Sequence, residues 1–265
     1  MPQHVAPALR NLLAGVIDYA GMFPPSALPL SAAAENYAAY IESPDRWMLS
    51  RFVLNAKDLV SLPAARHFPL TVLADRTFAL VDARVKSVET KEVFAAPVTT
   101  YCEIPIDDTA ALHAVRDAHA FAKIRTGGLT PEAIPTTDAI AAFLVKAAQL
   151  RLPFKATAGL HHPIRSMRAL TYEKDSPTAV MHGFINVFVA SALAWSGASE
   201  KIVLQVLNEE DLAAFTFDTD LRWRDTPLTA QQIAGARRDF AHSFGSCSFT
   251  EPASELKQLG WLHAE

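Results

Sequence analysis

The chain has 265 residues, of which 50% are hydrophobic and 20% charged, a balance that suits a globular fold with a sizeable core and argues against a disordered or fibrous chain. Its formal net charge of −4, with lysine and arginine scattered, offers no basic face for a phosphate backbone, so no nucleic-acid partner is expected. The longest apolar stretch, FINVFVASALAWSG, falls short of the roughly 20 residues that cross a bilayer, the N-terminus lacks a charged-then-apolar leader, and two cysteines, Cys102 and Cys247, are too few for a disulfide framework, so a soluble cytoplasmic protein with no membrane partner and reduced thiols is expected.

In chain order, GVIDYAG (15–21) reads as a strand. Pro24 and Pro25 stop it, making MFPPSALP a loop whose Met22 and Phe23 can roof a site, and Ser31 is placed to cap a helix over SAAAENYAAYIE. Strands are predicted at MLSRFVLNA (48–56), PLTVLAD (69–75) and TTYCEIPI (99–106). The helix DTAALHAVRDAH, capped by Asp108, leads to the strand FAKIRT (121–126), and the helix PTTDAIAAFLVKAAQL, capped by Thr136 or Thr137, leads to the strand PFKATAG (153–159). A helix over TAVMHGFINVFVASALAW precedes candidate strands KIVLQVL (201–207) and AAFTFD (213–218), and SFGSCSFTEP near the end reads as a turn of small residues. Eight strands alternating with helices predict an α/β fold, a (β/α)8 TIM-barrel-like single catalytic domain over residues 1–265.

Successive residues of a barrel strand alternate between the helix ring and the lumen, and the apolar set belongs outside. Ala122 and Ile124 then point out and Lys123 and Arg125 in; Phe154 and Ala156 point out and Lys155 and Thr157 in. The same rule turns Asp18, Arg51 with Asn55, Asp75, Glu103 with Asp107, and Gln205 towards the axis. A salt-bridge network is one use for such charges. Two lysines on neighbouring strands suggest another. A desolvated lysine beside a second cation has its pKa lowered towards the free amine that attacks a carbonyl to form a Schiff base. Lys123 or Lys155 would be the nucleophile and the other its tuner, Glu103 and Asp107 would shuttle protons, and Arg125 would anchor an anionic group.

AKIRTGG (122–128), followed one helix later by FKATAGLHH (154–162), resembles the deoxyribose-phosphate aldolase family of class I aldolases, as does FGSCSF (244–249), which is similar to that family's phosphate loop. The resemblance implies a Schiff base on Lys123 with Lys155 tuning it, a proton relay through Asp107 or Glu103, and contacts to a small carbonyl substrate from Thr126, Gly127, Gly128, Ser246 and Ser248, with no cofactor. The chain differs in carrying Arg125 inside the first motif and His161 and His162 where the family has Val and Arg.

Placed after a barrel strand, His161 and His162 can serve as acid/base or substrate-binding groups, or ligate an ion with a carboxylate from Glu103, Asp107 or Asp18. His182, with Asn186 one turn on, is a further candidate. A nucleophilic role is one reading of Cys247, but with only His242 as a basic neighbour in sequence the expectation is the usual inert lone thiol. The expected activity is carbon–carbon lyase chemistry of the aldolase kind on a small, oxygenated, anionic carbonyl compound. The alternatives are a metal-dependent hydrolase, lyase or isomerase built on His161 and His162, and a non-catalytic small-molecule-binding barrel; homo-oligomer formation is compatible with each.

Overall fold

The computed structural model describes residues 5–262. Eight parallel strands close a barrel in chain order: β1 (Ile17–Tyr19), β2 (Leu49–Asn55), β3 (Leu70–Leu73), β4 (Val85–Thr90), β5 (Thr99–Glu103), β6 (Phe121–Arg125), β7 (Phe154–Thr157) and β8 (Ala241–Ser246), with β8 returning to pair with β1. The fold is a TIM-barrel-like α/β barrel.

The helix ring is incomplete. Helix α1 (Pro7–Leu13) precedes the barrel, α2 (Leu30–Ile41) follows β1, α3 (Thr109–Asp117) follows β5 and α4 (Thr137–Gln149) follows β6. A 3-10 turn (Ala56–Ser61) connects β2 to β3, and segments 74–84 and 91–98 connect β3 to β4 and β4 to β5 without a helix. The long β7–β8 connection compensates, carrying a hairpin (Ser166–Ala169 with Thr178–Met181), α5 (Phe184–Trp195), α6 (Glu200–Leu207), a small three-stranded sheet and α7 (Ala230–Asp239). Helix α8 (Thr250–Gln258) follows β8. Among the described residues, no helix is long and apolar enough to cross a membrane.

Helix α5 is apolar all round because it is covered all round: Phe184 and Phe188 pack on Phe244 of β8 at ring distances of 5.4 and 5.9 Å, and the opposite face meets α4 and α6. Asp108 and Thr136 cap α3 and α4 as expected, accepting hydrogen bonds from Ala111 N at 2.9 Å and Ala139 N at 3.2 Å. Ser31 does not cap α2, which begins at Leu30 after Pro29.

Two strand assignments change. KIVLQVL is the helix α6: its buried residues Val203, Val206 and Leu207 recur at spacings of three and four, so the β-branched run is one apolar helical stripe. This removes Gln205 from the lumen and leaves it exposed on the outer ring. The strand in AAFTFD, Phe215–Phe217, belongs to the small antiparallel sheet rather than the barrel. The two vacant places are taken by β4, VKSVET, and β8, AHSFGS. The helix predicted from Thr178 begins only at Phe184, since Thr178–Met181 pairs as a hairpin strand.

Candidate active site

Register brings the lysines together. Lys123 and Lys155 are direct partners across β6 and β7, and Glu103 of β5 is the partner of Lys123 on its other side. Between the two lysines stands a residue that the sequence reading passed over, Glu89 of β4. Its Oε1 lies 2.6 Å from Lys155 Nζ and its Oε2 2.6 Å from Lys123 Nζ. Lys123 Nζ also reaches Glu103 Oε2 at 2.8 Å, and Lys155 Nζ bonds Asp18 Oδ2, which accepts a further hydrogen bond from Ser243 Oγ at 2.8 Å. The result is one continuous chain, Asp18–Lys155–Glu89–Lys123–Glu103, crossing the lumen.

Burial and pairing fix the charges in the lower half of this chain. Burial would push the Glu89 carboxyl up, but Lys123 and Lys155 outweigh it and hold the pKa down at about 2. Burial likewise opposes ionisation of Asp18, yet Lys155, Arg51 and the Ser243 hydroxyl keep it below the usual carboxylate range. Lys155 is raised above its ordinary value: burial alone would lower it, and Asp18 and Glu89 reverse the sign. Lys155 is therefore a permanent cation. Its influence on Lys123 passes through a shared carboxylate, which corrects the expectation of two lysines facing each other as bare cations.

These shifts carry a stability prediction. A carboxyl whose folded pKa is depressed contributes stability above its unfolded value and loses it as pH falls through the folded value. For Glu89 the window runs from the ordinary value of 4.5 down to about 2, and at about 1.4 kcal/mol per pH unit the loss over that window is on the order of 3 kcal/mol. Urea unfolding should show a free energy that falls as pH drops below 4.5 towards about 3; a flat profile there would contradict the ion-pair chain.

The floor of the lumen is aromatic. The Tyr101 ring lies 5.4 Å from Lys155 Nζ, and its hydroxyl pairs with His242 Nδ1 at 2.8 Å. Burial, followed by the neighbouring Arg237, pushes the His242 pKa down to about 4. Above the chain, at the C-terminal ends of the strands, opens a cavity of 380 Å³, within the size range of small-molecule sites. Lys123, Glu89, Glu103, Arg125, Thr157, Gly128 and His161 line it, and Phe23, Pro24 and Pro25 of the β1–α2 loop form part of its wall. Lys155 and Asp18, both wholly buried, sit beneath it and do not line it.

Other predicted residues are placed elsewhere. Asp107 is exposed on the loop before α3, beyond the strand end, and cannot share proton transfer with Glu103. Asp75 is exposed and turns back onto Thr77, with Thr77 N donating to Oδ1 at 2.9 Å. Asn55 donates to Asp58 at 3.1 Å outside the main cavity. His182 is buried against Pro135 O at 2.8 Å, and Asn186 spans loops by accepting from Arg165 N and donating to Val206 O and Glu209 O, so both are packing residues.

The glycine-terminated strands have a steric explanation. Thr126 Oγ1 donates to Ala158 O at 2.6 Å, tying the end of β6 to the end of β7, and a Cβ on Gly127 would stand 2.8 Å from Gly159 Cα. Thr126 and Gly127 thus shape the mouth without lining the cavity. Gly127→Ala should cost about 1–3 kcal/mol, since the neighbouring atom is backbone and has little room to yield; an unchanged urea midpoint would contradict the close approach. Ser246 and Ser248 also serve the turn. Ser246 Oγ donates to Ser248 O at 2.6 Å, and Ser248 Oγ accepts from Glu251 N at 3.1 Å, leaving neither on the cavity wall.

The histidine pair divides. His161 faces the cavity with Nδ1 2.9 Å from Glu251 Oε2, whereas His162 turns to Glu255 Oε1 at 2.6 Å in a neighbouring surface depression that also holds Arg168. Burial, against the pull of Glu255, holds the His162 pKa below its ordinary value. Polar atoms of His162, Glu251 and Glu255 come within 4.8 Å of one another. Each carboxylate already has protein partners, Glu251 with His161 and Tyr172 and Glu255 with His162 and Arg168.

The molecule is thus an eight-stranded α/β barrel with a chain of ion-paired lysines and carboxylates at the base of a cavity at the C-terminal ends of the strands. No family model matches the chain, and no curated protein and no solved structure matches it.

Proposed function

We propose that the protein is a class I, Schiff-base lyase of the aldolase kind, acting on a small, oxygenated, anionic carbonyl compound. The observation that carries this reading is the unequal setting of the two lysines: Lys123 alone reaches the cavity, while Lys155 lies below it, tied to Asp18 and Glu89. A lysine serving only as a structural ion pair has no need to open onto a cavity that also presents Arg125.

In this reading Lys123 passes a proton to Glu103, 2.8 Å away and the more exposed of its two carboxylate partners. The free amine adds to the substrate carbonyl, and Glu103 returns the proton as water leaves. Glu103, again a carboxylate, then takes the proton of the hydroxyl β to the iminium carbon, and an aldehyde leaves. The electron pair of the broken carbon–carbon bond forms an enamine double bond while the C=N π pair moves to nitrogen, neutralising a cation that Glu89 and Glu103 had balanced. Glu103 returns the proton to the enamine carbon, and addition of water to the resulting imine releases the second product and Lys123. Lys155 and Asp18 position Glu89. Arg125, exposed at the cavity rim, pairs with the anionic group of the substrate.

Borohydride treatment tests the proposal. Incubation with small hydroxyaldehydes and keto acids should give irreversible inactivation only when borohydride and a turned-over carbonyl compound are present together. Turnover that borohydride leaves untouched would exclude an imine.

A further inference from the structure

The second face of the cavity holds groups that the lysine chemistry does not use. Cys247, immediately after β8, lines the same cavity as Lys123, and its Sγ lies 3.9 Å from His161 Nε2. The other ring nitrogen of His161 is held by Glu251 Oε2 at 2.9 Å, and Tyr172 Oη donates to that same carboxylate oxygen at 3.2 Å while standing 3.8 Å from the sulfur. A nucleophile, a base and a carboxylate that orients the base thus follow one another in line. We propose that Cys247, His161 and Glu251 form a second nucleophilic centre, which accepts the acyl group of a small ester or thioester.

The two cysteines provide an internal contrast. Cys102 is wholly buried, its Sγ turned to Phe94 O at 3.5 Å, and burial pushes its thiol up. Cys247 is also buried in the protein, and burial opposes its ionisation too, but the His161 contact and Ser26 outweigh burial and lower its pKa. His161 responds in the opposite sense. Burial would lower it, and its contacts with Cys247 and Glu251 raise it to about 9. The contact favours the thiolate–imidazolium form of the pair, and the start of α8 three residues on adds the positive end of a helix dipole.

The chemistry balances with water as the only co-reactant. The Cys247 thiolate adds to the acyl carbon, the bond to the alcohol or thiol breaks, and the leaving group takes the proton from His161 Nε2. A thioester remains on Cys247. Neutral His161 then removes a proton from water, hydroxide adds to the thioester carbon, the carbon–sulfur bond breaks, and the product acid leaves as thiolate and imidazolium are restored. The apolar part of the same cavity's lining, with Phe23, Leu170 and Met181, suits the carbon portion of a small acyl group.

The test uses 4-nitrophenyl acetate with the full chain, read by the nitrophenolate burst and by peptide mass. The expected result is one equivalent of nitrophenolate per chain in the burst, with the acetyl group on the peptide containing Cys247. Cys247→Ser should abolish the burst, and His161→Asn should slow acylation by about 10²-fold or more. Glu251→Gln, which keeps the size of the side chain, should slow it less, giving a second reading if His161→Asn misfolds. Acetyl on Cys102 or on lysines with Cys247 unmodified, no covalent acetyl at all, or Cys247 acylation at an unchanged rate in both variants would overturn the proposal. Because the label is read at a thiol, failure here leaves the imine test at Lys123 unaffected.

Discussion

Lys155→Met should destabilise the protein by about 3–5 kcal/mol while retaining the side-chain bulk. The large effect follows from the partners left behind. Asp18 and Glu89 are 0% and 4% exposed, so removing Lys155 strands two carboxylates away from water. Asp18 would keep Ser243 Oγ and the Arg51 amide, and Glu89 would keep Lys123, but neither set replaces an ammonium placed between them. The loss should be greatest near neutral pH and shrink in acid, where protonating the carboxyls relieves the uncompensated charge. Urea unfolding at pH 7 and pH 4 measures both features. A variant within about 1 kcal/mol of the parent at pH 7 would mean that the buried chain is not maintained as ions.

The second large effect concerns rate rather than stability. Glu103→Gln should lower kcat by about 10²–10⁴-fold, the usual loss when a positioned proton carrier is removed. Its side chain is 18% exposed and meets the cavity, so a neutral amide of the same shape should leave the fold intact. KM should change less than kcat, because Glu103 holds a proton rather than the substrate. Kinetics on any carbonyl compound that the parent turns over, with urea unfolding as a control, provides the check. Unchanged kcat would remove Glu103 from the mechanism and leave Glu89, which two lysines hold ionised against the effect of burial, as the other carboxylate beside Lys123.

Six barrel strands could be read in the sequence because their outward residues are apolar and continuous, as in Phe52 and Leu54 of β2 or Ala122 and Ile124 of β6. The two that escaped lack that signal. In β4 the lumen side carries Ser87 and Glu89, and Lys86 on the outer side is exposed where no helix covers the barrel, so VKSVET looks like a solvated segment. In β8, AHSFGS, Gly245 sits where a Cβ would stand 3.1 Å from Thr157 Oγ1, and small residues there read as a turn. Missing β4 meant missing Glu89, the carboxylate that joins the two lysines. Register did the opposite for Lys123 and Lys155, whose positions follow from alternation along two strands that neighbour each other both in sequence and in the barrel.

The thiol centre was illegible for a different reason. His161 lies 86 residues from Cys247 in sequence and 90 from Glu251, and the pairing of β7 with β8 across the long connection between them places their loops side by side. Conversely, the strand-period rule extended too far at Asp107 and Asp75, because β5 ends at Glu103 and β3 at Leu73 and the chain turns outward beyond them. Alternation predicts facing only within a paired strand.

The central claim is that Lys123, supported from below by the Lys155 ion pairs, is the group that bonds to substrate. Mapping the adduct tests it most directly. After borohydride reduction in the presence of a turned-over carbonyl compound, peptide mass analysis should find the reduced substrate on Lys123 and leave Lys155 unmodified, and Lys123→Met should remove both adduct and turnover. Turnover with no adduct on Lys123, or an adduct on Lys155 instead, would contradict the account.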